Sequence, residues 1–497
     1  MAVTAVSLLE SAVPAAGNSV AVAYADAVLT YRELNSRADS LAACLHLDPG
    51  ERIVVVAPNV PGLLVAMFAA WKLGAVAVPL SARLRGFELK RAFGTASPTA
   101  AISVAGQGSF DPAREVLRLR DETPTLAECL AIDTLGVVTD QTRSAAERAE
   151  PLDEAIAAII HTSGSTGEPK GAVVSHRQAL AQGENLPPLL GDCAAACCVL
   201  AAPATHSFGL NCTLCTLAAC GTLVLADVSA SARPLVDVLQ QFSAKAVHGS
   251  PALFARLLET PVDLALTRGF VAGSSCSPTL LERADQRGLR LLNQYGMTEM
   301  GATCCPRSDD PPEVRYRTSG RPLAGYEVRV APHAYAPGSA GEIQVRSPNI
   351  WPHYLFRGRT NIDTTPDGWL RTGDLGSVDV SGNVSIVGRT KEVIHVGGFN
   401  VFPAEVEAFL LTDPRIVEAV VVGVQHAVMG EVPQAFVVPD RDIELEPRDV
   451  VRFARAGIAG YKVPYSIRIL DELPRLPSGK VNRAELVCTA RQSNSGR

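Results

Sequence analysis

The chain has 497 residues, more than a single hydrophobic core normally organises, so we expect two or more domains. Hydrophobic residues make up 47% of it and charged residues 19%, a globular balance that excludes a largely disordered chain. The formal net charge of −6 is small for this length and gives no electrostatic reason to expect a nucleic acid or an anionic membrane as a partner.

The first half of the sequence alternates helical and strand-like patterns. An apolar face at helical spacing predicts a helix over residues 31–44, and a β-branched run predicts a strand over 52–57. The longest apolar stretch, residues 62–80, is interrupted by a lysine, a glycine and a proline, which fits a helix followed by a strand better than a membrane span. Similar strand-like runs recur at 157–161, 198–202, 222–226 and 246–249. Strands that are apolar on both faces and separated by helices predict parallel-rich sheets of the α/β class.

The second half of the sequence changes character. From about residue 317 to 388, short strands and turns predict a β-rich part of a large N-terminal domain that spans residues 1–388. A hinge region is expected at 389–390, continued by Lys391. A small α+β C-terminal domain is expected over 391–497.

One loop has a composition suited to phosphate. Thr162-Ser-Gly-Ser-Thr-Gly-Glu-Pro-Lys-Gly171 follows a predicted strand and combines glycines, hydroxyls and a lysine. Glycines let backbone N–H groups converge on oxygen, hydroxyls donate, and lysine supplies charge. The spacing of Gly164, Gly167 and Lys170 does not fit a P-loop. A flexible surface turn is the alternative interpretation.

Further motifs follow in order: Asn293-Gln-Tyr-Gly-Met-Thr-Glu299, Gly368-Trp-Leu-Arg-Thr-Gly-Asp374, Gly388-Arg-Thr-Lys-Glu392 with Val396-Gly-Gly-Phe-Asn400, and Leu476-Pro-Ser-Gly-Lys480. Together with the loop, they resemble the core motifs of the adenylate-forming superfamily, which comprises acyl- and aryl-CoA synthetases, adenylation domains of peptide synthetases, and luciferases. The resemblance runs from Leu29 to Leu486. It implies a large N-terminal adenylation domain and a small mobile C-terminal domain.

The resemblance also implies an ATP site. Its expected phosphate contacts are Thr162, Ser163, Gly164, Ser165, Thr166, Gly167 and Lys170. Tyr295 and Gly296 are expected beside the adenine, and Asp374 and Arg389 at the ribose. Thr298 resembles the α-phosphate contact, while Glu299, with Thr166, resembles the Mg²⁺ site. From the residues alone, Tyr295 could be core packing, Asp374 a turn residue, and Thr298-Glu299 a helix start.

The resemblance assigns the C-terminal motifs to the chemistry. Lys480 is the expected catalytic lysine, which would bridge the carboxylate and the α-phosphate. Lys391 is the expected hinge, and Gly397 and Gly398 are expected to line the tunnel for the thiol. Without the resemblance, the loop around Lys480 would be interpreted as a solvated turn.

The acid pocket is expected around His206, which matches a histidine found in many acyl- and aryl-CoA ligases. A packed core histidine is the alternative. The other expected pocket residues are Ser207, Gly209, Ala272, Gly273, Ser274, Gly296 and Met297. Ser207 stands where amino-acid-activating relatives carry an aspartate, which disfavours an α-amino acid. Because no charged residue is visible in this set, we expect an uncharged acyl tail.

The cysteines raise one competing hypothesis. Cys212 and Cys215 form a CxxC near His206, a weak match to a zinc site. No second ligand pair follows at zinc spacing, so we favour cysteine as a small buried hydrophobe in a reducing compartment.

These observations predict a cytoplasmic, ATP- and Mg²⁺-dependent ligase that activates a small carboxylic acid as an acyl-adenylate and transfers it to a thiol. Coenzyme A is the first expected acceptor. A carrier protein bearing phosphopantetheine, loaded with an acyl or β-amino acyl group, is the alternative. A more remote alternative is a non-catalytic nucleotide-binding homologue.

Overall fold

The computed structural model describes residues 4–105, 111–147, 150–163, 169–226, 232–261, 265–274, 276–331, 340–355, 359–396, 399–426, 429–440, 443–476 and 480–494. The first part of the chain contains helices α1 (Val6–Ala16), α2 (Tyr31–Ala43), α3 (Pro61–Lys72), α4 (Gly86–Ala96) and α5 (Pro112–Arg120), with strands β1 (Val20–Tyr24), β2 (Ala27–Thr30), β3 (Arg52–Ala57), β4 (Val76–Ser81), β5 (Ala100–Val104), β6 (Glu128–Ile132) and β7 (Val138–Arg143).

The middle of the chain continues the alternation of strands and helices. Its strands are β8 (Ile156–Ser163), β9 (Pro169–Ser175), β10 (Cys197–Ala201), β11 (Thr222–Leu225), β12 (Ala246–Gly249), β13 (Arg268–Val271), β14 (Arg290–Asn293), β15 (Tyr295–Met297) and β16 (Gly301–Cys305). Its helices are α6 (His176–Asn185), α7 (Pro187–Leu190), α8 (Ser207–Ala218), α9 (Ala232–Gln241), α10 (Pro251–Glu259) and α11 (Pro278–Gln286).

The last part of the chain is richer in strands. After α12 (Pro312–Arg317) come β17 (Arg321–Pro322), β18 (Glu327–Val330), β19 (Gly341–Arg346), β20 (His353–Leu355), β21 (Arg359–Asn361), β22 (Leu370–Val378) and β23 (Val384–Arg389). The C-terminal part contains β24 (Ile394–Val396), β25 (Phe399–Val401), α13 (Pro403–Leu410), β26 (Ile416–His426), β27 (Gly430–Pro439), α14 (Pro447–Gly457), β28 (Ser466–Ile469) and α15 (Arg483–Asn494).

Two large sheets form the bulk of the N-terminal part. The β3 sheet has the order β21-β20-β9-β8-β4-β3-β5-β6-β7, and its central strands are parallel. The β12 sheet has the order β14-β13-β12-β10-β11-β1-β2 and is parallel except for the β1–β2 pair. The predicted α/β class with parallel-rich sheets is confirmed.

The main core lies between these two sheets. Helices α1, α2, α3, α6 and α8 fill the space, and α3 is buried from Pro61 to Trp71. Because both faces of this helix contact protein, its residues need not alternate with polar ones. Helices α9–α11 cover the outer face of the β12 sheet, and α4 and α5 cover that of the β3 sheet. No helix in the described ranges is long and apolar enough to cross a membrane.

Helix starts follow local chemistry. Thr30 and Glu33 form a capping box at α2, in which the Thr30 side chain accepts from the Glu33 N–H. Ser175 caps α6 by accepting from the Gln178 N–H. Since α6 starts where β9 ends, this cap fixes the turn that follows the glycine-rich loop.

In the strand-rich region predicted at 317–388, four strands form the β22 sheet, of order β18-β19-β22-β23. Strand β17 instead pairs with β16, and β20 and β21 extend the β3 sheet. The C-terminal part has a further sheet, ordered β25-β24-β27-β26 with β28 on β27. Helices α13 and α14 pack on one face of that sheet, and α15 packs on the other. A small α+β unit with its own core is therefore present, as expected, while the exact boundary at 389–391 stays a prediction.

Candidate active site

The carboxyl ends of the parallel strands meet where the two large sheets approach each other. Asn59, in the turn after β3, donates to the carbonyl oxygens of Ala202 (2.8 Å) and Ala226 (3.4 Å) of the β12 sheet, and its Oδ1 accepts from the Ala204 N–H at 2.8 Å. One side chain thus ties the two sheets together beside the loop that carries His206. In open α/β sheets this edge is where ligands bind.

The glycine-rich loop lies at this edge. Thr162 and Ser163 end β8, and Lys170 pairs with Thr162 from β9. The side chains of Thr162 and Ser163, and all of Gly164, Ser165, Thr166 and Gly167, lie outside the described residues. The Lys170 amine lies 5.5 Å from the centre of the Tyr354 ring. The described residues therefore place the predicted phosphate lysine at the mouth of the loop.

Tyr354 connects that lysine to the predicted metal ligand. It lies on β20, which pairs with β9 next to the loop, and its hydroxyl donates to Glu299 Oε1 at 2.6 Å. Glu299 is buried. Beside that carboxylate, burial raises the pKa of Tyr354, so its hydroxyl stays protonated and keeps donating. Local sequence patterns do not indicate this contact, because it depends on the pairing of β20 with β9.

Glu299 belongs to the β15–β16 hairpin. Gly296 is required there because a Cβ atom at that position would lie 2.1 Å from the Gly301 carbonyl oxygen. Thr298 and Glu299 form the turn, so the alternative of a helix start is wrong. Gln178 of α6 donates to the Thr298 carbonyl oxygen at 3.2 Å. Helix α6, which follows β9, therefore also positions the hairpin.

The residues present fit a magnesium ion held mainly by substrate. Tyr354 occupies Oε1 of Glu299, which leaves Oε2 as a possible ligand. Among the described residues no three acidic, histidine or cysteine side chains converge on one point. A protein site of one carboxylate, completed by phosphates and water, is the arrangement that Mg²⁺ commonly uses with nucleotides.

The predicted ribose residues form a small network. Asp374 and Arg389 face each other across β22 and β23, with Asp374 Oδ1 3.0 Å from Arg389 Nε. The Tyr295 hydroxyl donates to Asp374 Oδ2 at 2.8 Å. Burial raises the pKa of Asp374, although Arg389 and Tyr295 act in the opposite direction. Asp374 is therefore a buried acceptor, and Tyr295, which also packs in the main core, holds it in place.

His206 immediately precedes α8, and its side chain makes no capping hydrogen bond. Burial, with a contribution from Lys480, lowers the pKa of His206 to about 4. The ring is therefore neutral at pH 7 and can donate or accept a hydrogen bond without carrying charge. The contribution of Lys480, a residue from the C-terminal part, supports a place for His206 at the cleft, while its role in the acid pocket and the packed core alternative both stay predictions.

The remaining predicted pocket residues follow or precede strands and helices at the same edge of the fold. Ser207 and Gly209 form the first turn of α8, and Ala272, Gly273 and Ser274 follow β13. Gly273 has φ +95°, a conformation that favours glycine. Met297 packs against the main core from the β15–β16 hairpin. Three segments that are distant in the sequence thus start at the carboxyl ends of strands of the β12 sheet, and their role as one acid pocket stays a prediction.

Lys480 enters this site from the C-terminal part. A Cβ atom at Gly273 would lie 3.9 Å from Lys480 Cε, so the lysine passes directly over that glycine backbone. Burial and then Arg389 lower the pKa of Lys480, while Glu299 and Asp374 act to raise it. The residue as a whole is exposed, so the contact of its Cε with Gly273, rather than burial, locates the side chain at this edge. It is not a remote solvated turn.

The hinge and the thiol tunnel are placed only in part. Lys391 lies in a short 3-10 helix, Thr390–Glu392, directly after Arg389. Its neighbour Glu392 faces Arg483, with 3.9 Å between Oε2 and Nε. Gly397 and Gly398 lie outside the described residues. The hinge and tunnel assignments therefore stay predictions.

The cysteines do not form the zinc site that was considered. Cys212 and Cys215 are buried on α8, where burial raises the pKa of both thiols well above the usual value. Within the described part of the chain, neither belongs to a group that could hold a metal ion. Protonated thiols in an apolar core match the role of small hydrophobic residues.

Comparison with known proteins agrees with this geometry. The family described as AMP-binding enzyme matches residues 9–355, and its C-terminal domain family matches residues 405–480. The chain therefore belongs to the AMP-binding enzyme family, and the predicted membership of the adenylate-forming superfamily is confirmed.

Relatives match nearly the whole chain. A 3-[(3aS,4S,7aS)-7a-methyl-1,5-dioxo-octahydro-1H-inden-4-yl]propanoyl:CoA ligase from Rhodococcus jostii is 32% identical, over 96% of this chain and 97% of its own. A feruloyl-CoA synthase from Amycolatopsis sp is 31% identical, over 94% and 95%. The structure of ATP-bound MatB from Rhodopseudomonas palustris matches with a TM-score of 0.82 and 25% identity, over 98% and 99%. The predicted enzyme class, an AMP-forming acid–thiol ligase of the acyl-CoA synthetase type, is confirmed.

Proposed function

We propose that this enzyme activates a small carboxylic acid with an uncharged tail and transfers it to coenzyme A, with the site residues in the roles given below. The observation that carries the proposal is the position of Lys480. Its Cε atom comes from the C-terminal part yet lies beside the Gly273 backbone, and after burial its charge is the second cause of the lowered pKa of His206. The acid pocket and the ATP site therefore share one cation.

In the first half-reaction, a carboxylate oxygen attacks the α-phosphorus of ATP, and the bond from that phosphorus to the pyrophosphate oxygen breaks. Two anions must approach each other, which aimed cations and dipoles make possible in a site shielded from water. Lys480 lies where the carboxylate and the α-phosphate would meet. Lys170 and the glycine-rich loop would hold the departing pyrophosphate, and Thr298 would donate to the α-phosphate.

Asp374 and Tyr295 would orient the nucleotide. The Asp374 carboxylate can accept hydrogen bonds from both ribose hydroxyls, and Arg389, which is largely exposed, can turn toward the ligand. Glu299 would supply the protein ligand to Mg²⁺, whose charge offsets that of the phosphates. Holding both substrates in line removes much of the entropic cost of their encounter.

In the second half-reaction, the thiolate sulfur attacks the carbonyl carbon of the acyl-adenylate, and the bond to the AMP oxygen breaks. The thiol proton passes to water. Turning about Lys391 would withdraw Lys480 and bring Gly397 and Gly398 to the site, where the absence of side chains leaves room for a pantetheine arm. Coenzyme A as the acceptor is supported by the relatives. They are named a CoA ligase and a CoA synthase, and this chain matches them over almost their whole length.

The test is pyrophosphate and AMP release by the full chain with ATP and Mg²⁺, across aliphatic, aromatic and amino acids, with and without coenzyme A. AMP release that needs both one acid and coenzyme A is the expected result. Pyrophosphate exchange that coenzyme A does not accelerate would overturn the acceptor and point to a carrier protein. Silence with every acid, while ATP still binds, would overturn the proposal as a whole.

A further inference from the structure

His248 has a buried N–H group that no part of the adenylation machinery uses. It lies on β12, is fully buried, and its Nδ1 accepts a hydrogen bond from the Phe270 N–H at 3.2 Å. Since Nδ1 is the acceptor, the proton of the neutral ring is on Nε2. Burial lowers the pKa of His248 to about 3, so the ring carries that single N–H at pH 7. Among the described residues, Nε2 has no hydrogen-bond partner.

The strand register places this N–H group beneath the acid pocket. His248 pairs with Leu200 across β10, and its ring stacks on Phe270 of β13 with 5.2 Å between centroids. Leu200 and Phe270 belong to the core that packs against α8, whereas Val247 belongs to the core on the opposite face. His248 therefore faces α8, the helix that begins directly after His206.

Two more buried polar groups without partners lie at the same edge of the sheet. Thr205 Oγ1 is next to His206, and Gln294 Nε2 follows β14 immediately. Ala272 and Gln294 lie one level above Phe270 and Leu292 on the face that carries His248. Native proteins rarely leave several such groups unpaired close together. A cluster of this kind indicates a ligand that supplies the partners.

We infer that His248 selects the acid by donating its Nε2–H to an oxygen on the acyl tail, so that the substrate is a keto, hydroxy or ether acid rather than a plain hydrocarbon acid. His248 lies two strand positions below the level of Ala272, which is roughly 6–7 Å along the strand, so the oxygen it binds would lie about that far from a carboxylate held at the level of Ala272. Gln294 and Thr205 can pair with further polar atoms of the tail. The inference rests on the proposed function, because it needs an acid pocket at this edge.

The test uses matched acids that differ in one oxygen. Heptanoic acid is compared with 6-oxoheptanoic acid, and cyclohexanecarboxylic acid with 4-oxocyclohexanecarboxylic acid, by kcat/KM for pyrophosphate release. A buried donor left unpaired by the hydrocarbon acid gives an expected preference for the oxo acid of about 10–100-fold. His248→Leu should reduce that ratio to about one. Its kcat/KM for the hydrocarbon acid should stay the same or rise, and its kcat/KM for the oxo acid should fall. His248→Gln, which keeps an N–H donor, should retain part of the ratio.

Equal rates for both members of each pair, or the same ratio in His248→Leu as in the unaltered enzyme, would overturn the inference and leave the proposed function intact. No turnover of any acid would instead count against the proposed function. Should His248→Leu not fold, nitrogen-15 spectra of histidine-labelled unaltered enzyme decide the matter. The Nε2–H signal is expected to shift when the oxo acid and ATP bind, and an unmoved signal would contradict the donor role.

Discussion

Two carboxylate–arginine pairs, one that includes Arg389 of the predicted hinge region and one in the C-terminal part, are built differently. Asp374–Arg389 lies in the cleft: the Asp374 side chain is 7% exposed, but that of Arg389 is 60% exposed. Glu407–Arg483 lies inside the C-terminal part, where Glu407 Oε1 accepts from Arg483 Nη2 at 2.6 Å and from the Val421 N–H at 2.8 Å. Arg483 also donates to the Val421 carbonyl oxygen at 2.9 Å.

The difference indicates that the first pair serves ligand binding and that the second supports the structure of the C-terminal part. The first pair has a largely exposed arginine, so the ATP binding that we propose would be able to rearrange it. The second pair is satisfied by the protein itself and joins α13, β26 and α15. Arg483 begins α15 three residues after Lys480. We infer that the Glu407–Arg483 pair, called the inner pair below, fixes the point from which the proposed catalytic lysine enters the cleft.

The two partners of the inner pair respond differently to burial. Burial raises the pKa of Glu407, outweighing the attraction of Arg483, whereas Glu407 and Glu392 raise the pKa of Arg483 in spite of its burial. The geometry supports a charged pair, because Glu407 accepts two hydrogen bonds at short distance.

The largest expected effect is that of removing the amine of Lys480. Lys480→Ala should lower the rate of acyl-adenylate formation by about 10²–10³-fold, because the cation that offsets charge in the transition state is lost. Thioester formation from supplied acyl-adenylate should change little, and stopped pyrophosphate and thioester assays measure the two steps separately. Lys245→Ala, at the amino end of β12, is the matched control. Equal loss in both half-reactions of a folded variant would contradict the assignment.

The inner pair should next show a large effect on stability. Arg483→Met leaves Glu407 buried without its cation, which should lower the free energy of unfolding at pH 7 by about 3 kcal/mol. The loss should be smaller at pH 5, because the raised pKa of Glu407 then allows it to take up a proton. Denaturant titration at the two pH values measures both.

Replacing the whole inner pair provides the control. Arg483→Met with Glu407→Leu leaves no uncompensated charge and should recover most of the lost stability. If the double variant is as unstable as the single one, the pair does not act as a charged unit.

The Asp374–Arg389 pair, the outer pair, should affect activity rather than stability. Asp374→Asn should lower kcat/KM for ATP by about 10-fold, because the carboxylate that would accept from both ribose hydroxyls is lost. The free energy of unfolding should stay within about 0.5 kcal/mol of that of the unaltered enzyme. Stability is spared because burial already disfavours the Asp374 carboxylate and because Arg389 remains in water. ATP-dependent initial rates and a melting curve test this together. A strongly destabilised Asp374→Asn would remove the distinction between the pairs.

The smallest expected effect is a pH dependence. Lys480 has a lowered pKa, so its charge is complete below that pKa and is lost as the pH rises through it. The plot of kcat/KM for adenylation against pH should therefore fall on the basic side before the usual lysine range near 10.4. Lys480→Arg keeps its charge throughout and should flatten this fall at a lower overall rate. The same basic limb in Lys480→Arg would assign it to another group.

The sequence predicted much of this architecture because the local signals agree with the fold. The helix expected at 31–44 is found at Tyr31–Ala43, and the strand expected at 52–57 is found at Arg52–Ala57. Buried β-branched runs and a capping box act within a few residues, so they can be recognised without knowing the neighbours. The motifs were equally informative, since Asp374, Arg389 and Lys480 all lie at one cleft.

Contacts between distant residues could not be predicted in this way. Tyr354 donates to Glu299 only because β20 pairs with β9, and that strand order leaves no trace in periodicity. Asn59 was missed for the same reason, as its partners belong to another sheet. His248 looked like an ordinary residue of a buried strand, and its unpaired nitrogen becomes visible only once its neighbours are known.

The way the β12 sheet is completed has a consequence for how the chain folds. Strand β1 lies beside β11, and the Thr222 hydroxyl donates to the Val20 carbonyl oxygen across a sequence separation of 202 residues. During synthesis, the N-terminal strand must wait until β11 has been made, and the part of α1 that packs against α8 stays uncovered until α8 has been made. Long-range parallel pairing of this kind slows folding and exposes intermediates to aggregation. The first thirty residues are therefore where chaperone dependence should arise, remote from the chemistry of the cleft.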